Sequence, residues 1–160
     1  MSKKIISIAS DHAGYRLKEQ LKELLQEDNY EIIDRGAFGY DSVDYPDYAE
    51  RVCKDVLEEI VDFGILICGT GIGMSIAANK IKGIRAALCF CPELARLART
   101  HNNSNVLVLP GRFIAPEFAK MIVDTFSEAE FEGGRHERRL QKISKLEKSG
   151  DENDKGCLQP

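Results

Sequence analysis

The chain has 160 residues, enough for one domain around a single core and too few for a second of ordinary size. With 43% hydrophobic residues, 30% charged residues and a formal net charge of -4, it offers no electrostatic basis for binding nucleic acid or an anionic membrane. No apolar run reaches the roughly 18 residues of a membrane span.

The start, Met1-Ser2-Lys3-Lys4, leads into Ile5-Ile6-Ser7-Ile8-Ala9, which stops at Asp11, short of a signal-peptide core, so a cytosolic protein is expected. The first strand is predicted over Lys4 to Ala9, followed by a helix with Leu17, Leu21, Leu24 and Leu25 on one face. A second strand over Glu31 to Asp34 precedes a helix that opens at Pro46 and aligns Ala49, Val52, Val56 and Ile60. The third strand, Phe63 to Cys68, runs into a glycine turn and a helix over Gly71 to Ile81. A fourth, Ile84 to Cys89, feeds a helix starting at Pro92; a fifth, Val106 to Leu109, feeds one starting at Pro116 with Ala119, Ile122, Val123 and Phe126 inward. Proline fits these helix starts, where its missing N–H costs nothing. A last helical stretch carries Leu140, Ile143 and Leu146; apolar periodicity ends near Ser149, so residues 1–148 read as the domain and 149–160 as a disordered tail.

Strands this continuously apolar are buried on both faces, as in parallel sheets, and right-handed crossovers put helices on each side. The fold class is therefore α/β, a three-layer α/β/α sandwich around a five-stranded, parallel, Rossmann-like sheet. Strand order is not legible. Five cysteines (Cys53, Cys68, Cys89, Cys91, Cys157), odd in number and without Cys-x-x-Cys spacing, read as free thiols. Cys157-Leu-Gln-Pro does not fit a prenylation signal, and the tail reads as unmodified.

Ligands of open parallel sheets bind beyond the carboxyl ends of the strands. Strand one is followed by Ser10-Asp11-His12-Ala13-Gly14, strand three by Gly69-Thr70-Gly71-Ile72-Gly73, and His101-Asn102-Asn103 precedes strand five; the expectation is that these acid, base and nucleophile groups gather at one rim. Gly69-x-Gly71-x-Gly73 lacks the dinucleotide spacing, but its free amides and the following helix start suit an anion or a developing oxyanion. That field also favours a thiolate at Cys68. Cys68 equally reads as a small apolar residue completing a strand, and Thr70 as a helix cap. His12 and His101 fall at strand–helix junctions, where a titratable imidazole suits acid–base work, whereas His136 also reads as a solvent-exposed residue. No two histidines have the helical spacing of a metal pair, so no metal is expected. Arg135 and Arg139 share a helical face and form either a forked phosphate clamp or a solvated basic face paired with Glu132 and Glu137.

Together, Asp11-His12, Asp44-Tyr45-Pro46-Asp47, Cys68-Gly-Thr-Gly-Ile-Gly-Met-Ser, Asn79-Lys80, Gly83-Ile-Arg85-Ala86-Ala87, His101-Asn102 and Gly134-Arg135-His136 with Arg139 resemble the type B ribose-5-phosphate isomerases, in order and spacing over residues 4–147. The resemblance implies an aldose–ketose isomerase of ribose 5-phosphate and ribulose 5-phosphate that needs no organic cofactor and no metal. It also implies a homodimer with shared active sites, leaving a tetramer open. By the same resemblance Cys68 is the base between C1 and C2, Thr70 and the turn residues Gly69, Gly71, Ile72 and Gly73 stabilise the enediolate, and Asp11 manages protons on the oxygens. His101 of the partner subunit opens the ring. Arg135, His136 and Arg139, with Arg112 of the partner subunit, hold the phosphate, while His12, Tyr45 and Asn102 contact the sugar. Some relatives carry a glutamate base where this chain has Met74, which leaves Cys68.

Two other readings stay open. One is an isomerase of a six-carbon sugar phosphate such as allose 6-phosphate or galactose 6-phosphate. The other is a phosphate- or nucleotide-binding regulatory module, which would need the arginines and glycine turn but not Cys68 or His101.

Overall fold

The apolar runs pair into one all-parallel sheet in the order β2-β1-β3-β5-β4, formed by β1 (Ile5–Ser10), β2 (Glu31–Asp34), β3 (Phe63–Cys68), β4 (Ala86–Leu88) and β5 (Val106–Pro110). The computed structural model describes residues 3–28 and 30–153. Among these residues six helices accompany the strands: α1 (Tyr15–Glu27), α2 (Tyr45–Leu57), α3 (Ile72–Ala78), α4 (Pro92–Asn102), α5 (Pro116–Glu128) and α6 (Arg135–Asn153). No helix among the described residues is long and apolar enough to cross a membrane.

Alternation along the central strands divides the core in two. Ile65 and Ile67 of β3 face α1, α4 and α5, packing with Leu21, Leu25, Ala95, Ile122 and Phe126. Leu66 and Cys68 face the other way, against Ala49 and Val52 of α2 and Met74 and Ala78 of α3. This is the three-layer sandwich expected of strands buried on both sides. Because α1 leaves β1 toward one layer and α3 leaves β3 toward the other, the switch point of the sheet lies between the carboxyl ends of these neighbouring strands, where open α/β sheets bind ligands.

Several boundaries differ from the periodicity. α3 ends at Ala78, before the expected Ile81, because Asn79 turns its amide to the carbonyls of Ser75 and Ala86 and accepts from the Ala86 N–H, tying the helix end to β4. α2 ends at Leu57, so Ile60, expected on its inner face, is exposed. α6 continues past Ser149 to Asn153; the rest of the proposed tail, with Cys157, lies outside the described residues.

One buried polar network holds α2, and hence its first residue Tyr45, to the sheet. Asp55 accepts from the Ser7 hydroxyl at 2.6 Å and from Arg35 Nε and Nη2 at 2.7 Å each. Burial alone would raise the Asp55 pKa, but the hydrogen bonds from Arg35 and Ser7 outweigh it and hold the carboxyl below its ordinary value. Asp55→Ala strands the fully buried Ser7 hydroxyl. It is expected to cost about 1–3 kcal/mol, read as a lower urea midpoint at unchanged slope.

Candidate active site

The carboxyl rim carries one set of groups. Directly after β1, the Asp11 N–H donates to the Ile67 carbonyl at 3.2 Å, and its buried carboxylate accepts from the Gly14 N–H at 2.9 Å. The next residue, His12, accepts from the Val43 N–H at 3.3 Å through Nδ1. A neutral imidazole bonded this way carries its proton on Nε2, which remains available to a ligand oxygen.

Cys68, 5% exposed, ends β3 on the α3 side of the sheet. Behind it the chain turns through Gly71, whose φ of +77° strongly favours glycine, into α3. Thr70 Oγ1 accepts from the Ile72 N–H at 3.2 Å, which leaves the threonine hydroxyl hydrogen free to donate. The first amides of α3 have no carbonyl four residues back within the helix. Tyr45, at the start of α2, lays its ring on Gly73, where a Cβ would fall 2.7 Å from Tyr45 Cζ. Met74 is fully buried among Cys68, Ala78 and Leu66, an apolar setting that suits methionine in the position of the alternative base.

The other set sits elsewhere. Helix α4 leaves the carboxyl rim at Pro92 and returns the chain to the amino end of β5, so its last residues, His101 and Asn102, lie at the opposite rim from Cys68. The β3–β5 register pairs Gly64 with Val106 and Cys68 with Pro110, which separates the two rims by about 13 Å at ~3.3 Å per residue. The expectation of a single rim is therefore corrected: a residue that precedes a parallel strand lies at the wrong end to meet residues that follow one.

At this amino rim, the Glu132 N–H donates to the Thr100 carbonyl at 3.0 Å and fastens the start of α6 to α4. The imidazoles of His101 and His136 stack at 4.2 Å between centroids and 10° between planes. Their Nε2 atoms lie 4.0 and 3.8 Å from one oxygen of Glu132, which sequence analysis had placed on the solvated face with the arginines. His136 is buried, so the solvent-exposed reading is set aside. Arg135 and Arg139 extend from the same first turns of α6, both exposed. Arg112 departs from the expected division between subunits. Its backbone N–H donates to Gly69 O at 3.0 Å and its side chain lies beside Gly69 of its own chain, on the Cys68 side. His136, expected to act opposite His101 of the partner subunit, instead stacks on the His101 of its own chain.

Burial lowers the His136 pKa, helped by His101, Arg135 and Arg139 and opposed by Glu132. With the folded value below the ordinary 6.5, the unfolded chain takes up the proton first as pH falls. The associated stability is whole above about pH 6.5 and is lost as pH drops through the lowered folded value. Melting temperatures in phosphate-free buffer at about pH 7.5 and about pH 5 should therefore diverge less in His136→Gln than in the unaltered protein.

Two sets of groups thus face away from each other within one chain: a thiol, a carboxylate and a glycine turn at one rim, and two imidazoles and two guanidinium groups at the other. Residues 6–143 match the family model described as Ribose/Galactose Isomerase. The chain belongs to this family. It is 47% identical over 144 residues to ribose-5-phosphate isomerase B of Escherichia coli strain K12, covering 90% of this chain and 97% of that one. Among solved structures, a ribose 5-phosphate isomerase of Thermotoga maritima superimposes with a TM-score of 0.88 at 57% identity, over 90% of this chain and 99% of that one. Ribose-5-phosphate isomerase B of Mycoplasma genitalium, solved with bound ribulose-5-phosphate, matches with a TM-score of 0.84 at 47% identity, over 90% and 96% of the two chains.

Proposed function

We propose that the protein interconverts ribose 5-phosphate and ribulose 5-phosphate through an enediolate, in a homodimer whose active sites each combine the carboxyl rim of one chain with the amino rim of its partner. The observation that carries this reading is the separation of Cys68 from His101 in one chain, since neither rim alone holds the groups that the reaction needs. Family membership and the ribulose-5-phosphate held by the Mycoplasma genitalium relative support the substrate class. Apolar surface on both rims supports the pairing: Phe90 and Phe113 lie exposed beside Thr70, and Ile143 and Leu146 lie exposed along α6.

In the forward direction His101 of the partner subunit donates a proton to the ring oxygen as the C1–O bond breaks, and the anomeric hydroxyl gives its proton to solvent, which frees the aldehyde. Cys68, as thiolate, removes the proton from C2 and returns it to C1. The negative charge that develops on oxygen meets the Thr70 hydroxyl and the amides of the glycine turn, donors already in place before the charge appears. Asp11 carries protons between the two oxygens. His12 and Tyr45, with Asn102 of the partner subunit, grip the hydroxyls. Arg135, His136 and Arg139 of the partner subunit, together with Arg112 beside Gly69, bind the phosphate, whose charge suits forked guanidinium contacts. The reaction consumes no electrons from outside, so no redox cofactor is required. We place the enzyme in the cytosol with its phosphorylated substrates.

A cofactor-free assay after chelator treatment, comparing ribose 5-phosphate with allose 6-phosphate and galactose 6-phosphate, tests the reading. Fastest turnover on ribose 5-phosphate is expected. Preference for a six-carbon substrate would reassign the specificity, and binding without any turnover would leave a phosphate-binding module in place of an enzyme.

A further inference from the structure

No two histidines of this chain have metal-pair spacing in sequence, yet folding brings His101 from α4 and His136 from α6 together over Glu132. The two imidazole nitrogens and a Glu132 oxygen lie within 4.8 Å of one another. Both Nε2 atoms approach the same oxygen, at 4.0 and 3.8 Å. Tetrahedral coordination at bond lengths of ~2.0–2.1 Å sets ligand atoms roughly 3.3 Å apart. Because an ion lies in the plane of each imidazole that binds it, the two rings, stacked at 10°, have to turn out of parallel, and His101, 36% exposed, is the one with room to turn.

We propose that His101, Glu132 and His136 of one chain bind a divalent cation of the zinc class, and that its occupancy inhibits turnover. Two neutral imidazoles and one carboxylate are the ligand set that zinc and its neighbours take, with a fourth position left to water. The nearby Arg135 and Arg139 repel any cation, so binding depends on bonds to nitrogen, which selects against magnesium and calcium. An entry path exists, because the His101 and Glu132 side chains are 36% and 54% exposed while His136 forms the floor. Inhibition, unlike binding, rests on the proposed reaction, in which the same two imidazoles serve ring opening and phosphate binding.

Calorimetric titration of zinc into the chelator-stripped full-length protein should show one ion per chain, and magnesium should give no binding. Glu132→Gln removes one ligand, and its own metal-free rate is the reference for its inhibition. Its zinc affinity should fall at least tenfold to about a hundredfold, the loss seen when even residues that only support metal ligands are removed. Cobalt bound in place of zinc should show d–d bands of a four-coordinate site without a thiolate charge-transfer band. Equal zinc affinity in Glu132→Gln, or a thiolate band, overturns the site and points to a cysteine instead. Binding that depends on Glu132 but leaves isomerisation untouched keeps the cation site and removes His101 and His136 from the proposed reaction.

Discussion

Cys68→Ala is expected to lose about 10²- to 10⁴-fold in isomerisation, the range a positioned general base commands, with the melting temperature nearly unchanged. The substitution removes one sulfur from the end of a strand whose surroundings, Ala9, Leu66, Met74 and Ala78, accept an alanine methyl without rearrangement. What it removes chemically is the proposed base at C2. The other described cysteines differ in setting. Burial pushes the Cys53 and Cys89 thiols up to about 12, so they stay protonated, whereas Cys91 is half-buried. Alkylation followed by peptide mapping should therefore find Cys68 protected by substrate while Cys91 is not. His101→Asn separates the steps. Because ring opening precedes proton transfer only on the aldose side, this variant should still exchange solvent deuterium into C1 of ribulose 5-phosphate, an exchange that Cys68→Ala loses. A folded Cys68→Ala protein working at the normal rate would show that another group is the base.

Where local chemistry decides structure, the sequence was enough. The glycine turn, the proline-led starts of α2, α4 and α5 and the unbroken apolar run of β3 each encode their own geometry, and β2 and β3 match the predicted limits while the other strands fall within two residues of them. The missing parts are those set by tertiary contact. Asn79 ends α3 through bonds to Ala86, seven residues on, that no helical period contains. The stacking of His101 on His136 and the convergence of both on Glu132 join segments 31 to 35 residues apart, so a search for helical histidine pairs passes over them. The rim on which His101 sits was nevertheless legible in principle. In a parallel sheet every residue just before a strand lies at the amino edge, and that rule alone separates His101 from Cys68 once the strands are placed.

Mixing the Cys68→Ala and His101→Asn proteins should restore activity that neither has alone on ribose 5-phosphate. In a two-fold dimer built as proposed, one site of the heterodimer combines both lesions and is dead. The other joins the intact Cys68 of the His101→Asn chain to the intact His101 of the Cys68→Ala chain. Random exchange of equal amounts makes half of the dimers mixed, each with one working site, so recovery should approach roughly a quarter of the unaltered specific activity. The experiment separates two geometries that single substitutions cannot. If both residues served a site within one chain, every chain in the mixture would carry one lesion and no combination would work. The roughly 13 Å between the rims of β3, across the buried centre of the sheet, argues against that arrangement. Subunit exchange confirmed by mass-tagged chains, with activity still absent, would break the shared-site reading. It would also require His101 to act at a distance from the sugar that no proton transfer spans.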